Sequence, residues 1–229
     1  MWEKAVERLD RVFRLPEGTA ARVLPYVVIV LLTGSQSVAG GPWPFWAYAI
    51  KTAIGAWIVL SLWSRVEEWK WSVSWEAIGV GVLVFGIWVG LDPYYPKLSS
   101  DGSGSWNPFA VWGTGSATAW GFVAIRILGS AIVIPPIEEA CFRSFLYRYL
   151  QKEEFRDVPL GRWHWKSALI VAVIFGAVHR EWLTGILCGL GYQWLACRRG
   201  HLGDAMVAHG VTNLLLGLWV VTHHAWVFW

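Results

Sequence analysis

Charge is scarce in this sequence: 15% of its 229 residues are Asp, Glu, Lys or Arg, where a soluble domain carries about a quarter. With 55% hydrophobic residues and a mean hydropathy of +0.43, that scarcity excludes an ordinary soluble domain and points to the membrane class. Cysteine is scarce too. Cys141, Cys188 and Cys197 are odd in number, lie in apolar segments and show no CxxC spacing, so neither a disulfide framework nor a structural zinc site is expected. The formal net charge of +3 is small and dispersed, which argues against nucleic acid as a partner. No cleavable signal peptide, internal repeat or soluble second domain is expected. Aromatic residues are abundant by contrast. Nineteen Trp and seven Tyr suit the two lipid–water boundaries, where amphipathic rings collect.

Apolar segments recur at about 23–40, 45–63, 73–91, 116–137, 167–180, 182–197 and 203–222. Several approach the roughly 20 residues that a spanning helix needs, while the fifth and sixth are short. A further amphipathic helix is expected at 137–150, separated from the preceding segment by a break at Pro135 and Pro136. The expectation is an all-α, polytopic integral membrane protein with about eight helices. Residues 1–22 read as an amphipathic surface segment and 23–229 as one helical domain. In the first, Trp2, Ala5, Val6, Leu9, Val12 and Phe13 recur at helical spacing, and Pro16 ends the pattern. Glu7 and Asp10 stand four residues before Arg11 and Arg14, an arrangement that supports a helix. Basic residues concentrate in residues 1–22, 64–72, 151–166 and 198–199, so the positive-inside rule puts the N-terminus in the cytoplasm. The Gly-, Ser- and Pro-rich loop 92–115 then faces the other side.

Into this apolar chain "IPPIEEACFRSFLYRYL" brings Glu138, Glu139 and Arg143 within six positions. A charged side chain at the bilayer centre costs roughly 2.5–3.5 kcal/mol, so these groups must pair and face a protein interior. Glu139 and Arg143, four apart, bond along one helix face. Glu138, about 100° round the helix, has no local partner and suits proton transfer. The alternative is that both glutamates mark a helix start below the membrane and complement its dipole. Two further pairs bear on the choice. Phe175 and His179 are four apart, as are His209 and Asn213. Singly, a histidine here is a packing residue and an asparagine interhelical glue. Together, a glutamate, two histidines and an asparagine contain a base for water and donors for an oxyanion.

The ordered set EExxxR, FxxxH and HxxxN, within the last hundred or so residues, resembles the CPBP family of CAAX prenyl proteases and bacteriocin-processing enzymes. The resemblance implies a membrane cavity in which Glu138, assisted by His179, activates water, while His209 and Asn213 hold the oxyanion. Glu139 and Arg143 occupy the remaining motif positions. The implied activity is intramembrane endopeptidase cleavage near the C-terminus of a membrane protein or peptide. No cofactor is expected, although Glu138, His179 and His209 leave zinc open by count. Two features depart from the family pattern. Ser144 stands where a glycine is usual, and the chain after His179 runs at once into "REWLTGILCGLGYQW". Arg180 and Glu181 then either line the cavity or form a membrane-surface turn. That short connection also sets His179 near the outer side and His209 near the inner one. The stretch "WVGLDPYYP" resembles a bacterial subgroup that accompanies exosortase-type sorting systems. It implies a bacterial inner membrane, a substrate with a C-terminal sorting segment and a sorting-system partner. Two other functions stay in view: a non-catalytic scaffold or immunity protein that binds a peptide in the same cavity, and a small transporter. The transporter lacks the internal repeat such folds show.

Overall fold

The computed structural model describes residues 2–98 and 106–229, and among them it is all helix, with no strand. Helix α1 (Trp2–Val12) lies on the bundle surface, with Val6 and Asp10 buried beneath it. The helices α2 (Thr19–Gly34), α3 (Trp43–Leu62), α4 (Trp75–Leu91), α6 (Ala117–Tyr149) and α9 (Gly203–His223) supply five spans long and apolar enough to cross a membrane. A short α5 (Pro108–Trp112) precedes α6. Two further helices complete the bundle, α7 (Trp165–Ala177) and α8 (Trp182–Arg199). The outward faces are apolar: Leu31, Leu60 and Leu83 are all more than half exposed, as suits side chains against lipid. The protein is an integral membrane protein.

Local chemistry sets the helix ends. Ser74 Oγ accepts the Ala77 N–H at 3.1 Å to open α4, and Ser116 Oγ accepts that of Ala119 to open α6; both are N-caps. Gly200, at φ +67°, closes α8, a backbone conformation that costs glycine nothing. Asp10 was expected to support α1 through Arg14. Instead its carboxylate accepts the N–H groups of Gly18 and Ala20, each at 2.8 Å, where the positive end of α2 attracts an anion. Glu7 pairs with Arg65 at 2.5 Å rather than with Arg11.

The expected break at Pro135 and Pro136 does not occur. α6 runs unbroken for 33 residues, so the motif helix is its second half and not a separate element. Two π-helical stretches, Gly129–Val133 and Ala140–Leu146, take up the irregularity. A proline removes an N–H and crowds the carbonyl of the turn before it, and a π turn widens the helix there. One carbonyl of the turn before the prolines is met from α9, and another lies against it. Asn213 Nδ2 donates to the Ser130 carbonyl at 2.8 Å. Gly210 lies so close that a Cβ added there would meet the Ala131 oxygen at 2.5 Å.

The basic segments gather at one end of the bundle, where a buried ion cluster ties them together. Arg22, 1% exposed, donates through Nε to Ser144 Oγ and through Nη2 to Glu68, at 2.8 and 2.7 Å. Arg148 Nη2 donates to Ser144 Oγ at 2.8 Å and also to Glu68. Phe155 floors the cluster, its ring 5.2 and 5.1 Å from the two guanidinium carbons. At the other end, residues 92–98 lie against the start of α8: Tyr95 hydroxyl meets Thr184 Oγ1 at 2.9 Å, and Trp182 Nε1 donates to the Pro96 carbonyl. Within the loop expected at 92–115, residues 99–105 lie outside the described residues.

Burial by itself pushes the Glu68 carboxyl up, but Arg22 and then Arg148 outweigh it and hold it below its ordinary value of 4.5. The folded value is the depressed one. Its contribution to stability is therefore complete above the ordinary value and is lost as pH falls through the lower one. Glu68→Gln leaves two buried guanidiniums uncompensated and is expected to cost about 3–5 kcal/mol. Thermal unfolding in detergent checks this: the gap between wild type and variant should be full near neutral pH and close in acid.

Candidate active site

Glu138, His179, His209 and Asn213 line one cavity of about 200 Å³, with Arg126, Ser130 and Tyr192 among its other walls. Three helices and one turn bring them there. Glu139, one residue on from Glu138, turns away from the cavity and is 0% exposed. Its Oε1 accepts from His209 Nδ1 at 2.9 Å, and its Oε2 lies 3.1 Å from Arg143 Nε. The expected Glu139–Arg143 pair is present. It is a charge contact rather than an aligned hydrogen bond, because the guanidinium lies over the Phe175 ring, 4.1 Å from its centroid, where the ring quadrupole attracts it.

A carboxylate only accepts, so His209 Nδ1 carries the hydrogen and Nε2 is the nitrogen presented to Glu138, 3.8 Å from its Oε2. Tyr192 stacks flat on the His209 ring at 5.0 Å and donates to Thr212 Oγ1 at 2.8 Å. Ring plane and tautomer are thus both determined by buried neighbours. The Glu138 Oε2 atom is buried with no hydrogen-bond partner among the described residues, as the carboxylate without a local partner was expected to be.

His179 sits in the turn after α7. Its Nδ1 donates to the Phe175 carbonyl at 2.6 Å, which leaves Nε2 as an acceptor. The Phe175 ring stands between the histidines, 4.6 Å from His179 and 6.2 Å from His209. The depth conflict disappears because α7 has only 13 residues, about 20 Å at helical rise, against a hydrocarbon core of ~30 Å. The turn at 178–181 therefore need not reach the far membrane surface. Glu181 lines the cavity, while Arg180 pairs with it at 3.0 Å and donates to the Val227 carbonyl.

Residues 119–215 match the family model of the type II CAAX prenyl endopeptidases, Rce1-like. The region that carries the site is thus similar to that family. The match spans every motif residue named above and bears out the resemblance to CAAX-type intramembrane proteases that EExxxR, FxxxH and HxxxN carry. It supports CAAX-type endopeptidase activity in general, acting on a membrane substrate. No curated protein and no solved structure matches the chain.

Within the Rce1-like region the sequence reading passed over Arg126, Tyr192 and Thr212. Arg126 had a signal: it is the one charged residue in the apolar run 116–137. Tyr192 and Thr212 had none, since their part is to orient His209 across helices. Among the described residues no group of three or more His, Cys, Asp or Glu is arranged to hold a metal ion.

The two glutamates should separate in their behaviour. Glu139→Gln removes the counter-charge of a fully buried Arg143 and the acceptor of His209, and is expected to cost about 3–5 kcal/mol. Glu138→Gln breaks no described hydrogen bond and should leave yield and melting temperature near wild type. Equal loss of folded protein in the two variants would contradict this division.

Proposed function

We propose that the protein is a metal-free intramembrane endopeptidase in which Glu138 activates water. The observation that carries the reading is the Glu138 carboxylate itself. Its Oε2 atom is buried with no hydrogen-bond partner among the described residues, and the side chain shares its cavity with His179, His209 and Asn213. In this reading a water sits between Glu138 and His179 Nε2. Glu138 takes its proton as the oxygen adds to the scissile carbonyl. The negative charge that develops on the carbonyl oxygen faces His209 and the second N–H of Asn213, whose first is engaged by Ser130. Collapse breaks the C–N bond, and Glu138 returns the proton to the leaving nitrogen, giving a carboxylate and an amine. Removal of a general base costs about 10²–10⁴ in rate. Glu139 and Arg143 act behind the histidine, by holding it.

The donor set bears on zinc. Glu138, His179 and His209 would supply three ligands, the number a catalytic zinc needs besides water, but they come from three elements with no HExxH pair to pre-form half the site. An amide such as Asn213 serves an oxyanion better than a metal. We further read the N-terminal helix and the basic end of the bundle as cytoplasmic, in a bacterial inner membrane. The substrate is then a membrane protein whose C-terminal segment is removed, and a sorting segment and a prenylated tail are its two candidate forms.

The expected result is that a membrane substrate loses its C-terminal segment in cells carrying this protein and keeps it with Glu138→Gln, at least about 100-fold slower in purified form. Mass spectrometry of the released segment would distinguish the two tails. Purified protein dialysed against a strong chelator should keep its activity. Stoichiometric zinc by elemental analysis, with activity lost on chelation and restored by zinc, would overturn the mechanism. A segment cut at the same rate by the Glu138→Gln protein would overturn the role of Glu138.

A further inference from the structure

The cavity wall holds a cation that the proposed chemistry leaves unused. Arg126 lies twelve residues before Glu138 on α6, and Arg126, Ser130, Ile134 and Glu138, four apart in sequence, all line the cavity. The guanidinium carbon is set among three rings, 4.8 Å from the Tyr48 centroid, 4.6 Å from that of Trp106 and 5.3 Å from that of Trp229. No ion pair or hydrogen bond engages it among the described residues. Tyr48 carries a second cation on its ring: Lys51 Nζ stands 4.4 Å from the centroid and, among the described residues, donates to Thr33 Oγ1 at 3.2 Å. Glu181, the other carboxylate in the cavity wall, is engaged by Arg180.

Two cations therefore share one ring, and among the described residues no carboxylate forms an ion pair with either, in two helices long and apolar enough to cross a membrane. Unpaired charge at that depth is costly and marks a place where a ligand completes the balance. The two ends of the α6 stripe are opposite in sign, Arg126 at one and Glu138 at the other. A guanidinium is a planar fork that takes a carboxylate through two parallel hydrogen bonds. The faces of the three rings attract it.

We infer that Arg126 anchors the free α-carboxylate of the peptide substrate and so sets how far from the substrate's end the bond is cut. Twelve residues of helix rise about 18 Å, and an extended chain covers ~3.3–3.6 Å per residue. The cut then falls within about five residues of a free C-terminus. Arg126 is in this account a specificity-determining residue, and a substrate lacking the carboxylate leaves it unpaired. The inference rests on the peptidase reading for its substrate, but it is tested by binding, so that the two can fail separately.

The probe is a library of apolar ten-residue peptides, randomised over the last five positions and made once as free acids and once as C-terminal amides. Purified Glu138→Gln protein in detergent is mixed with both, and retained peptides are counted by mass spectrometry. Acids should be retained about 10- to 100-fold over amides, the range for a charge-assisted pair. Adding Arg126→Gln should bring that ratio close to one. Adding Arg126→Lys, which keeps the charge and loses the fork, should give a ratio between the two. If the Arg126→Gln chain does not fold, the ratios of the Glu138→Gln protein with and without Arg126→Lys decide. Equal retention of acids and amides, or a ratio unmoved by both Arg126 variants, overturns the inference. Wild-type protein should cut the retained acids within about five residues of their end, and cuts farther away refute the distance rule. Acid selection together with no cutting of any retained peptide would refute the peptidase reading and leave the carboxylate anchor standing.

Discussion

Everything at the site hangs on the Glu139 carboxylate. It lies between Arg143 on its own helix and His209 on α9, and all three side chains are buried. Desolvating a carboxylate and a guanidinium is expensive, and their attraction offsets the cost only when the remaining polar atoms are satisfied. Here the histidine supplies one hydrogen bond to the carboxylate and the Phe175 ring supplies a face for the guanidinium, whose nitrogens have no hydrogen-bond partner among the described residues. The same carboxylate sets which nitrogen of His209 turns to the cavity. Folding and site geometry are therefore one interaction: what holds α6 to α9 also aims the imidazole at Glu138.

That interaction requires two long helices to approach more closely than regular backbone allows. The π turn at Gly129–Val133 and the prolines after it leave carbonyls on the α9 side of α6. In hydrocarbon such groups need partners. Asn213 gives one an N–H, and Gly210 lets the backbone of α9 come up to the next. Asn213 is thus both interhelical glue, as its residue type suggested, and a wall of the cavity. The second π turn, at Ala140–Leu146, carries Arg143 and Ser144. Helical irregularity of this kind is common at functional sites, and here each stretch has an identifiable structural partner.

Much of this was legible in sequence because hydrophobic periodicity and polar spacing are local. The apolar segments, the pairing of Glu139 with Arg143, the unpartnered Glu138 and the shared face of His209 and Asn213 need only the pitch of a helix. The misreadings were not local. Prolines signal a break unless a neighbouring helix satisfies the carbonyls they free, and that neighbour lies about 80 positions away in sequence. Asp10 was assigned to its own helix, whereas the stronger demand came from the open N–H groups of α2. The apparent conflict in depth between His179 and His209 assumed full spans, and α7 is too short to be one. Tyr192 and Thr212 became visible only once α8 and α9 were side by side.

Ser144 shows how a small departure from a motif changes character in context. Read alone, a hydroxyl in place of a glycine's hydrogen is a mild change next to the motif arginine. In the fold its oxygen accepts from Arg22 at 2.8 Å and from Arg148 at 2.8 Å, two cations that among the described residues share one carboxylate, Glu68. Two guanidiniums against one carboxylate leave a buried excess of positive charge, and a hydroxyl oxygen between them is the cheapest neutral acceptor. A glycine would leave both N–H groups unmet at this position, at about 1–3 kcal/mol for each. The serine, one residue after Arg143, thus couples the helix that carries the glutamates to α2 and to the 63–72 segment. The rigidity of Glu138 and Glu139 within the membrane is in this way supported from the basic end of the bundle.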